Sequence, residues 1–328
     1  MTEVSASNTE VHAEAPLHFA FLMVTDYTLS PFANAVSVLR MANRQSGREL
    51  YRWSIYTVDG QAVNSSCGMT LQFDGAISAA TEIDTLIVCG GYKIAQQTTP
   101  EILAALRLIA KTKIPIGALC TGAFVLAKAG LLDGYRCTIH WENLSAFREQ
   151  FPRLLATSNL FVIDGNRYTC AGGVSSIDLM LKLVSIRYGH PMVQEISEQL
   201  ACERVRSEHD PQRAALHYLI GANQPKLVSA VTLMEANIEE PLGLDELASY
   251  GNISRRQLER LFLKYLGCSP SRYYLQLRLF RARLLLVQTN MPIIDIAVSC
   301  GFSTAPHFSK CYHDLYGKPP RDERIALQ

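Results

Sequence analysis

LDELASYGNISRRQLERLFLKYLGCSPSRYYLQLRLFRARLLLVQTNMPIIDIAVSCGFSTAPHFSKCYHDLYGKPPRDER, residues 244–324, is the stretch whose reading decides the fold. Asp245 offers a capping oxygen ahead of Glu246, Leu247 and Ala248, and Gly251 with Asn252 suits a tight turn, so a short helix ends there. Ser254 then caps a second helix in which Leu258, Leu261, Phe262, Tyr265 and Leu266 recur at spacings of three and four and pack one face inward. The opposite face carries Arg255, Arg256, Glu259, Arg260 and Lys264. A short helix, a glycine turn and a longer helix with a basic outer face is the plan by which a second helix enters a major groove.

The same grammar returns downstream. Pro292 suits a first helical position, Ile293, Ile294, Ile296, Ala297 and Val298 predict a compact apolar helix, and Gly301 ends it. Ser303 is expected to cap the next helix, which runs to about Tyr316 and stops at Gly317. Phe308, Tyr312 and Leu315 are expected to face in. Ser303, Thr304, His307 and Lys310 stay accessible, placed for base edges or phosphates. Between the two units Ser269-Pro270 opens a helix through Tyr273, Tyr274, Leu277, Leu279, Ala282, Leu285 and Leu286 to near Thr289, with Arg272, Arg278, Arg281 and Arg283 along it. A rigid rod of that length fixes the spacing of two reading helices, and successive major grooves on one face of a duplex lie about 34 Å apart.

On these residues (LDELA, SRRQLERLF, GCSPSRYYLQLRLFRARLLL, IIDIAVSCGFSTAPHFSKCY and YGKPPRDER) the last hundred or so positions resemble the AraC family of bacterial transcription regulators. The resemblance implies that the first reading helix places Arg256, Glu259 and Arg260 at DNA and the second Thr304, Pro306, His307 and Lys310. Ala305-Pro306 departs from the pattern, leaving fewer polar groups in the first turn of the second helix and implying weaker readout there. The plainer reading of the arginines is a solvated helix face.

A chain of 328 residues with 48% hydrophobic content has enough apolar material for two or three globular domains. No apolar run approaches the roughly 20 residues that span a bilayer, and residues 1–16 lack the apolar core of a signal peptide, so a cytoplasmic protein with a disordered N-terminal arm is expected and no membrane partner. The nine cysteines, at 67, 89, 120, 137, 170, 202, 268, 300 and 311, are odd in number and scattered, without a CxxC pair or a metal-ligand cluster; they read as reduced and mostly buried, with no metal and no cofactor implied. The near-zero net charge hides an asymmetry. Residues 254–328 hold 12 Lys and Arg against 5 Asp and Glu, leaving 19 against 25 upstream. A basic end on an acidic body suits a nucleic-acid module joined to something else.

Upstream, strands are predicted at 18–24, 51–58, 84–89 and 114–119, alternating with helices from Pro31 through Met41 and over 100–111, which implies a parallel sheet covered on both faces. The last strand runs into Cys120-Thr121-Gly122-Ala123 and a helix to Ala129. A small nucleophilic residue at such a strand-to-helix turn is the geometry of a nucleophile elbow. After Trp141 come a helix to about Phe151 and a hairpin of 160–163 with 167–170 across Asp164-Gly165. Gly172-Gly173 follows, then helices over 175–188 and 192–206.

Residues 19–206 resemble the class I glutamine amidotransferase-like superfamily, specifically the PfpI-like branch found fused to AraC-type modules. The markers are Cys89-Gly90-Gly91, LCTGAFVLAKAGLLDG ending at Gly134, Thr138-Ile139-His140-Trp141, and the segment from Asp164 through Gly173 to Asp178. The expected fold is therefore a flavodoxin-like α/β parallel-sheet domain followed by an all-α double helix-turn-helix domain: arm 1–16, ligand-sensing domain 17–206, linker 207–226, DNA-binding domain 227–328. Candidate ligand-binding residues are Cys89, Gly90, Gly91, Tyr92, Cys120, Thr121, His140, Trp141, Gly172 and Gly173, at the strand ends where open parallel sheets bind ligands. Their plainer readings are tight turns for the glycine pairs and ordinary packing for His140-Trp141.

An active hydrolase of this branch needs its elbow cysteine made into a thiolate by a neighbouring base and an orienting acid. The enzyme pattern puts a histidine directly after the cysteine, where this chain has Thr121. The expected acid falls near Pro31-Phe32, where no carboxylate stands. An unassisted thiol of pKa about 8.5 is only a few per cent ionised at neutral pH. Cys120 therefore reads as a pocket floor, and the chain as a regulator rather than an enzyme, with a cysteine-dependent amide or isonitrile hydrolase or hydratase as the alternative. The resemblance further implies a homodimer, a catabolic activator working with promoter DNA and RNA polymerase, and a small-molecule effector of the arginine, glycine betaine or carnitine type, for which Trp141, Tyr92 and Trp53 offer cation-π faces.

Overall fold

The computed structural model describes residues 15–202, 204–212 and 224–325, the side chain of Ile325 excepted. The expected arm at 1–16 and linker at 207–226 fall largely outside the described residues. The chain forms two compact units: one runs through Cys137 and resumes over Phe161–Glu208, the other takes Thr138–Leu160 and the chain from His209 onward.

The first unit contains β1 (Leu17–Met23), α1 (Leu29–Ser46), β2 (Tyr51–Thr57), β3 (Gly75–Ala76), β4 (Thr85–Cys89), α2 (Ile94–Gln97), α3 (Pro100–Ala110), β5 (Ile116–Leu119) and α4 (Gly122–Lys128). β6 (Arg136–Thr138) carries the chain into the second unit, where α5 (Trp141–Gln150) and β7 (Leu155–Thr157) lie; β8 (Phe161–Asp164), β9 (Arg167–Cys170) and α6 (Ser175–Gln199) return it to the first. The seven-stranded sheet has the order β3-β2-β1-β4-β5-β9-β8, parallel throughout except for β8 on β9. In its centre Phe21 stands opposite both Ile55 and Ile87, and Ala118 opposite both Val88 and Thr169. Central strands covered on both faces are continuously apolar, which is why FAFLM of β1 and LIVC of β4 are buried without alternation.

Two departures from the sequence reading have physical causes. α6 consists of two helical segments, as expected, meeting at a break at Gly189 (φ 80°, ψ 178°) ahead of Pro191, but the second ends at Gln199 and does not continue to Arg206. There the Arg206 amide donates to Asp178 Oδ1 at 2.8 Å, and its guanidinium donates twice to Oδ2 at 3.1 and 2.7 Å. A backbone donor bound to a buried carboxylate is not available to a helix. In addition, β3, β7 and α2 are too short to carry a periodic signal and were not expected.

The second unit continues with α7 (Pro225–Ala236), α8 (Leu244–Tyr250), α9 (Arg255–Leu266), α10 (Pro270–Gln288), α11 (Ile293–Ser299), α12 (Ala305–Tyr316) and α13 (Pro320–Ile325). Leu227, Val231, Met234, Leu247, Leu258, Phe262 and Tyr274 make one core. Leu279, Ala282, Leu285, Leu286, Ile296, Phe302, Phe308 and Tyr312 make another, joined by Ala146 of α5. α10 contributes to both, its first turns to one and its remainder to the other. Beside Ala146, Trp141 stacks on Phe280 with ring centroids 5.9 Å apart, and Gln150 Nε2 donates to the Gln288 carbonyl at 2.9 Å.

Three cap expectations and two burial expectations change. α8 is capped at Gly243, whose amide donates to Glu246 at 2.7 Å, rather than at Asp245. Thr304, not Ser303, caps α12, and Pro292 is the cap residue of α11 rather than its first helical residue. Ile294 and Val298 lie on the outer face of α11, because a helix of seven residues has a single inward stripe, filled here by Ile296 and Ala297. Leu315, in the last turn of α12, is 39% exposed rather than facing in, since Phe308 and Tyr312 already fill that helix's buried face.

Glu323 of α13 is 1% exposed and ties the C-terminal helix to α10: Arg283 Nε donates to Oε1 at 3.1 Å, and Lys318 Nζ stands 3.1 Å from Oε2. Burial raises its pKa, but the hydrogen bonds and charges of Lys318 and Arg283 outweigh it and hold the carboxyl below the usual glutamate range. Such a group stabilises the fold above that range, and the contribution is lost as the pH falls through its folded-state value. Glu323→Gln is therefore expected to lower unfolding stability by about 1–2 kcal/mol at neutral pH, since both cations are partly solvated and are not stranded. The gap to wild type should close between about pH 5 and about pH 3. A gap that stays constant across that range in denaturant titrations would contradict this role.

Candidate DNA-reading helices and effector site

In the second unit α8 and α9 flank a turn in which Asn252 takes a left-handed φ of 47°, and α11 and α12 flank one centred on Gly301 at φ 74°. Ser254 caps α9 by accepting from the Gln257 amide at 3.2 Å while Gln257 Oε1 accepts from the Ser254 amide at 2.9 Å, a reciprocal box that fixes the helix start. Leu258 and Phe262 bury one face completely, and Arg256, Glu259, Arg260 and Lys264 stand exposed on the other. Arg255 is exposed too, but its guanidinium is engaged by Glu259 at 3.1 Å and Asp245 at 3.5 Å. In α12 Thr304 accepts from the His307 amide at 3.4 Å, Phe308 and Tyr312 are fully buried, and Ser303, Thr304, Pro306, His307 and Lys310 are exposed. The two candidate reading helices are thus alike in cap, buried face and exposed face.

In the first unit the strand order reverses direction between β1 and β4: β2 and β3 build outward from one side of β1, while β4 and β5 build from the other. Ligands of open α/β sheets bind outside the carboxyl ends of strands at such a switch point. The residues there are Asp26, Tyr27 and Thr28 after β1, and Gly90, Gly91 and Tyr92 after β4. Tyr27 bridges to Gly91 and Ser65, and Gln97 Nε2 donates to Asp26 Oδ2 at 3.2 Å. Next along the sheet, Cys120 sits between β5 and α4 with φ 57°, a strained conformation for a side-chain-bearing residue and the one a nucleophile elbow uses. Thr28 Oγ1 lies 3.9 Å from its sulfur.

The glycines make this convergence possible. A Cβ on Gly91 would stand 2.0 Å from the Asp26 carbonyl oxygen, one on Gly90 2.4 Å from the Gly122 nitrogen, and one on Gly172 2.6 Å from Cys120 Cβ. Gly173 has open space at its Cβ position, and Asn34 Nδ2 reaches its carbonyl at 3.1 Å. The Thr121 hydroxyl is buried and donates to the Gly91 carbonyl at 2.8 Å, so the side chain following Cys120 braces a turn. Burial among Cys170 and Cys120 pushes the Cys89 thiol well up and so keeps it protonated. Tyr92 is exposed beside this cluster. His140 and Trp141 belong to the second unit. Burial holds the His140 imidazole below its usual range, opposed by Glu142 3.9 Å from Nδ1.

Residues 247–325 match a helix-turn-helix domain and residues 30–186 the DJ-1/PfpI family. The chain is 52% identical over 94% of its length, and 84% of the relative's, to the HTH-type transcriptional regulator GbdR of Pseudomonas aeruginosa. It is 40% identical over 94% of its length and 92% of the relative's to the HTH-type transcriptional regulator CdhR of the same species. A crystal structure of an AraC family transcriptional regulator from Pseudomonas putida superposes with a TM-score of 0.53 at 30% identity, covering 56% of this chain and all of that one. The chain belongs to the AraC family of HTH-type transcriptional regulators.

This regulator is accordingly a DNA-binding protein whose helix-turn-helix region follows a mostly parallel DJ-1/PfpI-type sheet domain. Among the described residues no helix is long and apolar enough to cross a membrane and no His, Cys, Asp and Glu cluster has metal-binding geometry. Asp26, Thr28, Asn34 and Gln97 at the switch point were not foreseen. Asp26 has a φ of 61° that nothing in its neighbours signals, and the other three make contacts spanning 71 to 139 residues of sequence. The DJ-1/PfpI match runs through α5, which by packing belongs to the second unit.

Proposed function

We propose that the regulator is a one-component, homodimeric activator of catabolic genes, in which a small cationic or zwitterionic metabolite binds at the β1–β4 switch point and alters promoter recognition by α9 and α12. The observation that carries the effector reading is the glycine-permitted convergence of three strand ends around Cys120, with Thr121 bracing a turn where the hydrolase pattern has its histidine. The site keeps the elbow's shape and lacks the base that follows the nucleophile. Gly90, Gly91, Tyr92, Cys120, Thr121, Gly172 and Gly173 are the residues assigned to the effector. Tyr92, exposed after β4, offers an aromatic face to a quaternary ammonium or guanidinium group, an interaction of about 0.5–2 kcal/mol, in competition with the Lys93 ammonium that stands 5.6 Å from its ring centroid. Trp141 is stacked on Phe280, so with His140 it suits the relay better than the ligand.

Arginine, glycine betaine and carnitine are the effector candidates. Coupling would run through the linker at 207–226 and through the excursion that carries α5 from the sheet domain's sequence into the core of the second unit, and it needs only about 1–3 kcal/mol of difference between two states. RNA polymerase is the expected downstream partner. A cysteine hydrolase is the second reading, favoured by the left-handed Cys120 backbone alone.

Two measurements test this proposal. In thermal shift assays one member of a panel of amino acids, betaines and carnitine should raise the melting temperature, since a ligand at about 100 times its Kd adds about 2.7 kcal/mol. No shift with any member, or amide or isonitrile turnover that disappears in Cys120→Ala, would contradict it. On its own upstream DNA, Arg256→Ala with Arg260→Ala should cost about 1–3 kcal/mol per base contact and flatten the salt dependence of binding, because each such residue also releases counterions. Unchanged specific affinity would remove α9 from the interface.

A further inference from the structure

Arg278 lies in the middle of α10, between the two helix-turn-helix units, and its guanidinium is turned onto the protein rather than outward toward DNA. Nε donates to the Cys300 carbonyl at 2.8 Å and Nη2 to the Gly301 carbonyl at 2.6 Å, and the guanidinium lies over the Phe302 ring, 4.2 Å from its centroid. These three residues are the turn between α11 and α12. Phe302 in turn packs edge-on against His307, 5.7 Å between ring centroids, and against Phe308 at 5.1 Å, so the turn is in direct contact with the first turn of α12.

One helical turn earlier on the same face, the Tyr274 hydroxyl donates to the Asn237 carbonyl and accepts from the Leu242 amide at 3.3 Å. Residues 237–243 form the strap that enters α8. That strap also lies on the Gly301 turn: a Cβ on Gly301 would stand 2.6 Å from the Ile238 carbonyl oxygen and 2.7 Å from Pro241 Cγ. Two adjacent side chains of one helix therefore grip the entry to the first helix-turn-helix and the turn of the second, and those two gripped segments touch each other.

We propose that Arg278, with Tyr274 as its neighbour in the bracket, is a positioning residue that sets the second reading helix at a fixed distance and rotation from the first. The inference rests on the reading of α9 and α12 as the DNA-contacting helices. Arginine alone among the cationic side chains fits this position, because a planar fork reaches two successive carbonyls while its face stacks on an aromatic ring. A lysine ammonium in its place is a single point charge that cannot do all three.

The test uses full-length protein and promoter duplexes in which the separation of the two protected grooves is native, shortened by one base pair or lengthened by one. Wild type should prefer the native spacing by about tenfold or more, the cost of misplacing a bidentate base contact. Arg278→Lys should lower that preference to about threefold or less, with hydroxyl-radical protection weakened at the second groove and intact at the first. Tyr274→Phe, which keeps the ring in its core, should reduce the preference in the same direction by a smaller factor. A variant that is merely less stable would lose affinity for all three duplexes equally and keep its preference, and that result in Arg278→Lys would overturn the inference. If wild type itself shows no spacing preference, the assignment of two reading helices fails first, and the two failures are distinguishable.

Discussion

The structure of the second unit depends on one helix being shared by two cores. α10 gives Tyr274 to the cluster built from α7, α8 and α9, and Leu279, Ala282, Leu285 and Leu286 to the cluster built from α11 and α12. At about 1.5 Å per residue its 19 residues span roughly 28 Å, comparable to the separation of successive major grooves. Both clusters include side chains of this helix, so burying its two apolar stretches fixes the separation of α9 and α12 by the same contacts that fold them. Arg256 and Arg260 stand exposed and take no part in either core.

The first unit is organised by a different constraint, the close approach of backbones at strand ends. Gly90, Gly91 and Gly172 stand where any Cβ would collide with main chain or with Cys120, and they allow three loops to meet over the sheet's carboxyl edge. Cys120 holds a left-handed conformation at the turn into α4, and the Thr121 hydroxyl after it braces the Gly91 turn. Burial keeps the Cys89 thiol protonated beside these loops.

Much of this was legible in the sequence, and the reasons differ by element. The continuous apolar runs of β1, β4 and β5, and the buried positions Leu258 and Phe262 of α9 and Phe308 and Tyr312 of α12, are direct consequences of burial on two faces or on one. Caps proved less legible: Gly243 and Thr304 displaced Asp245 and Ser303 by one or two positions, because Glu246 reaches back to cap α8 and two hydroxyls compete before α12. The end of α6 and the packing of α5 were not legible at all, since one depends on the Asp178–Arg206 pair across 28 residues and the other on Trp141 meeting Phe280. Arg278 appeared in the sequence as one of four arginines along a helix, and only the fold separates it from the rest by giving its donors to a turn 22 and 23 residues away.

The most direct measurement of the central claim is the affinity of the full-length regulator for promoter duplexes carrying insertions of about five or about ten base pairs between the two grooves contacted by one protomer. A stiff shared helix predicts that both insertions reduce binding to the level of a single groove, because about ten base pairs restore the rotational phase but add a whole turn of about 34 Å that α10 cannot span. Binding that is lost with the shorter insertion and recovered with the longer would contradict the account, since it would require a flexible connection between the reading helices.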